Sequence, residues 1–250
     1  MAGLSARGLS GLPEIRSGDD LAALILAALA AELTDEQIVV IAHKAISKAE
    51  GATVALTDVT PGARALELAA AQGRDPRAVQ VVLDQSSEIV RAANGVLICR
   101  THHGLLCANA GVDASNSADP DTLILLPVDP DGSARRLRTR LRELSGASPA
   151  VLITDSFGRA WRHGQCDVAI GCAGMQPLED WRGRGDSVGL ELKATWLAVA
   201  DAAAATADLA RAKDSREPVV IVEGLERFIS AADGPGAVAL LRPLDEDLFR

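Results

Sequence analysis

Ile38-Val39-Val40-Ile41-Ala42 is an unbroken aliphatic run, and it empties into His43-Lys44-Ala45-Ile46-Ser47-Lys48-Ala49-Glu50-Gly51. A strand that is apolar at every position is buried on both faces. A histidine and two lysines directly after such a strand read either as part of a site or as a solvated strand end.

Two other stretches repeat the pattern. Ala150-Val151-Leu152-Ile153-Thr154-Asp155-Ser156-Phe157-Gly158 is a second buried strand, read as ending in an acid and a hydroxyl. Leu105-Leu106-Cys107-Ala108-Asn109 runs into Ala110-Gly111-Val112-Asp113-Ala114-Ser115-Asn116, where a carboxylate, a hydroxyl and a carboxamide follow in four positions. Gly, Asp, Ser and Asn all form turns, so this last stretch is also readable as a plain turn.

Helical and strand patterns interleave along the rest of the chain. Ser17 or Asp19 can cap a helix from about Asp20 to about Leu33. Ala52 to Leu56 reads as a strand, and Thr60-Pro61 opens a helix closed by Gly73. Asp75-Pro76 starts a helix read from Arg77 to about Ala92, with Val79, Val82, Leu83, Ile89 and Val90 along one side. Asn94-Gly95 is a turn signal, and the segments around Cys99 and Cys107 form a hairpin through His102 and His103. Leu123 to Pro127 is a short strand, and Asp129-Pro130 caps a basic helix ending near Gly146. Asp167 to Cys172 is another strand, 178 to 189 a loop, Leu190 to about Ala212 the longest helix, and Pro218 to Val222 the last strand.

Composition bounds the function. The 250 residues are 48% hydrophobic, with three Trp, three Phe and no Tyr, so the core is aliphatic. That length suits one large domain or two smaller ones; the expectation is a single catalytic unit over 1–250, with two subdomains as the variant. The net charge of −9 argues against nucleic-acid binding. The basic run Arg135 to Arg142 is expected to be a solvated helix face. Four cysteines without a CxxC pair, three of them in apolar strand-like runs, read as reduced thiols rather than zinc ligands. No secretory signal is evident, and Leu21 to Ala31 is too short to span a bilayer, so a cytoplasmic protein with no membrane partner is expected.

Two aspartates beside hydroxyls, Asp113 and Asp155, can share a hard divalent cation if the fold brings them together. Lys44, Lys48, Arg159 and Arg162 would then neutralise phosphate. No Walker A or GxGxxG sequence is present. The residues by themselves reach a metal-dependent, phosphate-handling enzyme.

The ordered set Leu12-Pro13-Glu14-Ile15, His43 to Gly51, Ala110 to Asn116, Leu126-Pro127-Val128-Asp129-Pro130-Asp131 and Ile153 to Gln165 resembles the coenzyme F-420-0:L-glutamate ligases, the gamma-glutamyl ligases. The resemblance implies an α+β (mixed α/β) fold, with mixed sheets and packed helices, in a homodimer. It implies a GTP-dependent ligase that phosphorylates the carboxylate of a deazaflavin coenzyme precursor. L-glutamate then attacks the acyl phosphate, giving an amide, GDP and phosphate. Implied as catalytic and metal-binding are Asp113 and Asp155, with Ser156 at a second metal. Implied as nucleotide contacts are Leu12, Pro13, Glu14, Ile15, His43, Lys48, Asn116 and, loosely, Lys213. The implied ions are Mg2+ or Mn2+, with K+ as a further candidate. Two departures stand out: His43 replaces the family's small hydroxyl residue, and the connector around Lys213 lacks the usual glycine. They motivate one alternative, a ligase of the same scaffold with another carboxylate acceptor; a non-catalytic nucleotide or coenzyme binder is the third reading.

Overall fold

The computed structural model describes residues 3–115 and 119–247. In chain order the elements are β1 (Ser5–Gly8), α1 (Leu21–Ala28), β2 (Ile38–Ala42), α2 (His43–Ala49), β3 (Thr53–Ala55), α3 (Ala63–Gln72), α4 (Pro76–Asp84) and β4 (Ser86–Ala93). Then follow β5 (Val96–Thr101), β6 (Leu106–Ala108), β7 (Thr122–Ile124), α5 (Pro130–Ser145), β8 (Ala150–Arg159), β9 (Arg162–Ala173), β10 (Leu178–Asp180), β11 (Trp196–Ala198), α6 (Val199–Ala210) and β12 (Val219–Glu223). The class is α+β, as expected.

The central sheet has five strands in the order β1-β12-β2-β8-β9. Only β2 and β8 run parallel; the other pairs are antiparallel. Side chains alternate across it as a pleated strand requires. Val39, Ile41, Val151 and Ile153 pack on one side with α1 and α5. Ile38, Val40, Ala150 and Leu152 pack on the other against the alanines of α6, Ala200, Ala203, Ala204 and Ala207. Small side chains let α6 lie close to the sheet. Gly171 on β9 does the same for α5, since a Cβ there would meet the Pro130 backbone at 2.5 Å. A smaller unit beside this sheet consists of β4-β5-β6 covered by α3 and α4, with β3 paired to β7.

Several boundaries differ from the expectations. α1 stops at Ala28, because Leu29 turns extended and Leu33 is drawn into the core. The helix read to Ala92 ends at Asp84, and residues 86–93 form β4 instead. Asn94 and Gly95, at φ 52° and 76°, make the tight turn that pairs β4 with β5. Ile89 and Val90 therefore belong to a strand, and cross-strand pairing overrides their apparent helical spacing. The helix read from Leu190 begins only at Val199; Trp196–Ala198 is β11, which pairs with β10 inside the supposed 178–189 loop. α5, at 16 residues, is longer than α6 at 12. The basic face of α5 is not wholly solvated. Arg138 is 4% exposed and donates to the carbonyls of Ser148, Pro149, Ser230 and Ala231 and to Asp233. Finally, Asp155 does not end its strand, since β8 continues to Arg159 in a hairpin with β9.

Candidate functional site

The site begins where β2 becomes α2 without an intervening loop. Because β2 and β8 are parallel, with Ala42 opposite Thr154, their carboxyl ends lie at the same edge. Sites in α/β sheets gather at such edges. The next residue on each chain is His43 and Asp155, and His43 Nε2 lies 3.3 Å from Asp155 Oδ1. His43 is 2% exposed, and its Nδ1 faces Ser47 one helical turn on at 3.4 Å. His43 is thus a buried ring spanning the helix and the aspartate.

Asp113 arrives from the other side. Its backbone pairs with Ile124, and its Oδ1 accepts the Ser115 amide at 2.6 Å. The approach to it is strained: Asn109, Ala110 and Gly111 all have positive φ, at 53°, 53° and 71°. A buried Ala in this region costs energy that the surroundings must offset. Arg74 holds Asn109 Oδ1 at 2.6 Å, and a Cβ at Gly111 would strike Leu126 at 2.6 Å. The turn reading of this stretch is therefore realised, and Asp113 lies directly beyond the turn. Lys44 Nζ contacts Asp113 Oδ2 and Ser115 Oγ, each at 2.6 Å. Burial opposes ionisation of Asp113, but Lys44 and the Ser115 amide outweigh it and hold the carboxyl below its ordinary value.

One turn along α2, Lys48 pairs with Glu14. Ile15 is buried and anchors this segment, while Pro13 and Glu14 are exposed beside Lys48. Leu12 packs partly against the core. Asn116 lies outside the described residues. Arg159 and Arg162 sit in the exposed end of the β8–β9 hairpin, four and more residues beyond Asp155, where Arg159 donates to the His163 carbonyl.

The opposite face of β8 carries a second cluster. Asp167 on β9, 1% exposed, accepts from Ser156 Oγ at 2.6 Å, Thr154 Oγ1 at 2.9 Å and Arg211. Lys213 Nζ donates to Ser156 Oγ at 2.8 Å and to Asp208 at 2.7 Å, and lies 3.6 Å from Asp167. Burial opposes the charge on Asp167, yet these donors hold its carboxyl below the ordinary value. Asp167, Arg211 and Asp208 are not singled out as site residues in the sequence. The available signal was Thr154 and Ser156, two hydroxyls flanking Asp155 and so facing away from it.

All four cysteines are free, and burial pushes Cys107 and Cys172 up to about 12. No helix among the described residues is long and apolar enough to cross a membrane.

Comparison with known proteins gives the family. A family model described as F420-0:Gamma-glutamyl ligase matches residues 11–224. The chain is 42% identical over 252 residues to the coenzyme F420:L-glutamate ligase of Methanothermobacter thermautotrophicus, with 99% of each chain covered. It is 44% identical over 255 residues to the one from Methanopyrus kandleri, with 100% of each covered. The enzyme of Methanocaldococcus jannaschii is 40% identical over 219 residues, 87% of this chain and 86% of its own. With that coverage, taking in both aspartate segments and the β2–α2 junction, the chain belongs to the F420-0:gamma-glutamyl ligase family.

Proposed function

We propose that the protein joins L-glutamate to the carboxylate of the deazaflavin precursor F420-0 in a GTP-driven ligation. One observation carries this reading: Asp113 and Asp155 contact neighbouring residues, Lys44 and His43, at the carboxyl edge of β2 and β8, with Lys48 one turn further on. The names of the relatives support glutamate and the coenzyme as substrates.

The donor chemistry fits Mg2+ or Mn2+. Both take oxygen ligands, and Mg2+ typically uses one or two carboxylates with water and phosphate completing the shell. Among the described residues no three His, Cys, Asp or Glu side chains gather into a protein-only cage. Asp155 Oδ2 accepts no hydrogen bond from the described residues, while the Asp113 oxygens also serve Lys44 and Ser115. A bound cation would neutralise charge developing on the phosphate oxygens. Asp113 and Asp155 would hold it. Ser156 offers its hydroxyl to the Lys213 ammonium, so a second cation there, K+ included, would have to displace that charge.

The protein's own groups then have assigned tasks. Lys44 and Lys48 are held by Asp113 and Glu14 and can exchange those carboxylates for phosphate oxygens, one charge-assisted bond for another. Leu12, Pro13 and Glu14 border the nucleotide, with Ile15 fixing the segment to the core. The precursor carboxylate attacks the γ-phosphorus, the bond to the β-phosphate oxygen breaks, and GDP leaves. The glutamate amine attacks the acyl carbon and loses a proton, and phosphate leaves as the amide forms. A homodimer remains part of this reading.

The test is an assay with F420-0, L-glutamate, GTP and Mg2+ or Mn2+. A product heavier by one glutamyl residue, formed with GDP, is expected. No product with either cation overturns the reading, and product only from a different acceptor acid moves it to the other ligase.

A further inference from the structure

Beyond Thr154, β8 loses the support of β2, whose last paired residue is Ala42. The register with β9 shifts between Ile153 and Thr154, the kind of irregularity that re-aims a strand. The Asp155 segment therefore leaves the five-stranded part of the sheet with β9 as its one paired strand among the described residues. The side chains of the second cluster stand where that lateral support is missing.

We propose that Asp167 is a positioning residue for Asp155. It faces Ser156 directly across the β8–β9 pair, and its carboxylate takes one hydroxyl from each neighbour of Asp155: Thr154 on Oδ2 and Ser156 on Oδ1. Successive strand residues point to opposite faces. Gripping 154 and 156 on one face fixes the backbone that projects Asp155 from the other, toward His43. Arg211, at the end of α6, binds the same Oδ2 and also Thr154 Oγ1, and it donates to the Pro218 carbonyl before β12. The clamp thus ties Asp155 to the rigid body of the sheet through α6 and β12. Asp167 touches neither nucleotide nor acceptor in this scheme; it acts through β8.

The inference rests on the ligase reading for its link to turnover, but its structural arm stands apart from it. Mn2+ binding is followed by electron paramagnetic resonance on the whole protein, with kcat and the KM for GTP measured in parallel. Outer-shell partners of a metal-holding acid are worth roughly 10- to 100-fold in affinity or rate. Asp167→Asn, folded by circular dichroism, is expected to weaken Mn2+ binding and to lower kcat by about tenfold or more, with a smaller change in KM. Thr154→Val removes one of the two grips and is expected to shift both in the same direction by less. Unchanged Mn2+ affinity and unchanged kcat per folded molecule in Asp167→Asn overturn the proposal. If Asp167→Asn does not fold, the same result in Thr154→Val overturns it. Mn2+ binding by the wild-type protein without product sinks the ligase reading while leaving the positioning role testable by the Mn2+ arm.

Discussion

The two faces of β8 carry the same kinds of group and use them differently. On one face Asp113 meets Lys44, with side chains 41% and 21% exposed. On the other Asp167 meets Arg211, at 1% and 9%. The exposed pair can trade its partner for a ligand, because water reaches it and little is lost in the exchange. The buried pair cannot, because separating it strands a charge in the interior. Under the proposed function, accessibility rather than residue type distinguishes the face that does chemistry from the face that supports it.

The comparison can be broken most severely at Arg211. Arg211→Met leaves Asp167 buried without its main cation and should destabilise the protein by about 3–5 kcal/mol, read from denaturant unfolding. A loss below about 1 kcal/mol would show that Lys213 and the hydroxyls suffice, and the clamp would then not be a buried ion pair in the energetic sense. Asp155→Asn comes next. Its effect should fall on turnover, about 10²- to 10³-fold in kcat, the scale of losing one charge-stabilising group. Its unfolding midpoint should stay near that of the wild type. A large stability loss with modest kinetic change would exchange the roles of the two faces.

Lys48→Ala should raise the KM for GTP by roughly tenfold with little effect on stability, since its pair with the exposed Glu14 contributes at most about 1 kcal/mol. A change confined to kcat would place Lys48 outside nucleotide binding. The smallest effect concerns pH. Asp113 has a folded pKa below its ordinary 3.8, so its contribution is present above that value and lost as pH falls through the folded pKa. Lys44→Met removes the chief donor to Asp113. Its melting temperature should therefore fall less than the wild type's between about pH 5 and about pH 3, by no more than about 1 kcal/mol in stability. Parallel pH curves would mean that the Ser115 amide, not Lys44, sets the depression.

Legibility in the sequence followed locality. Asp129 capping α5 and Gly146 ending it at φ 80° were readable because both effects act within one turn of the chain. The same holds for β2, whose residues Ile38 to Ile41 stay buried between two layers. The β4 strand was misread because Val79, Val82 and Leu83 gave a genuine helical stripe that continued by chance into Ile89 and Val90. The β10–β11 ribbon was missed because its strands are three residues each and are held by pairing between segments far apart in the chain. Arg138 looked like one more exposed arginine until residues 230–233 closed over it.

The sequence by itself determined the buried strands and the capped helices, since each is carried by residue type within a short window, and its ordered motifs pointed to the family and to Asp113 and Asp155 as candidate acids. Only the tertiary structure decided that Lys44 belongs to Asp113, that His43 bridges to Asp155, and that Asp167 is clasped by an arginine 44 residues away. Such pairings depend on which strand edges the sheet brings together and which of them water can reach, and no local pattern of residues encodes either.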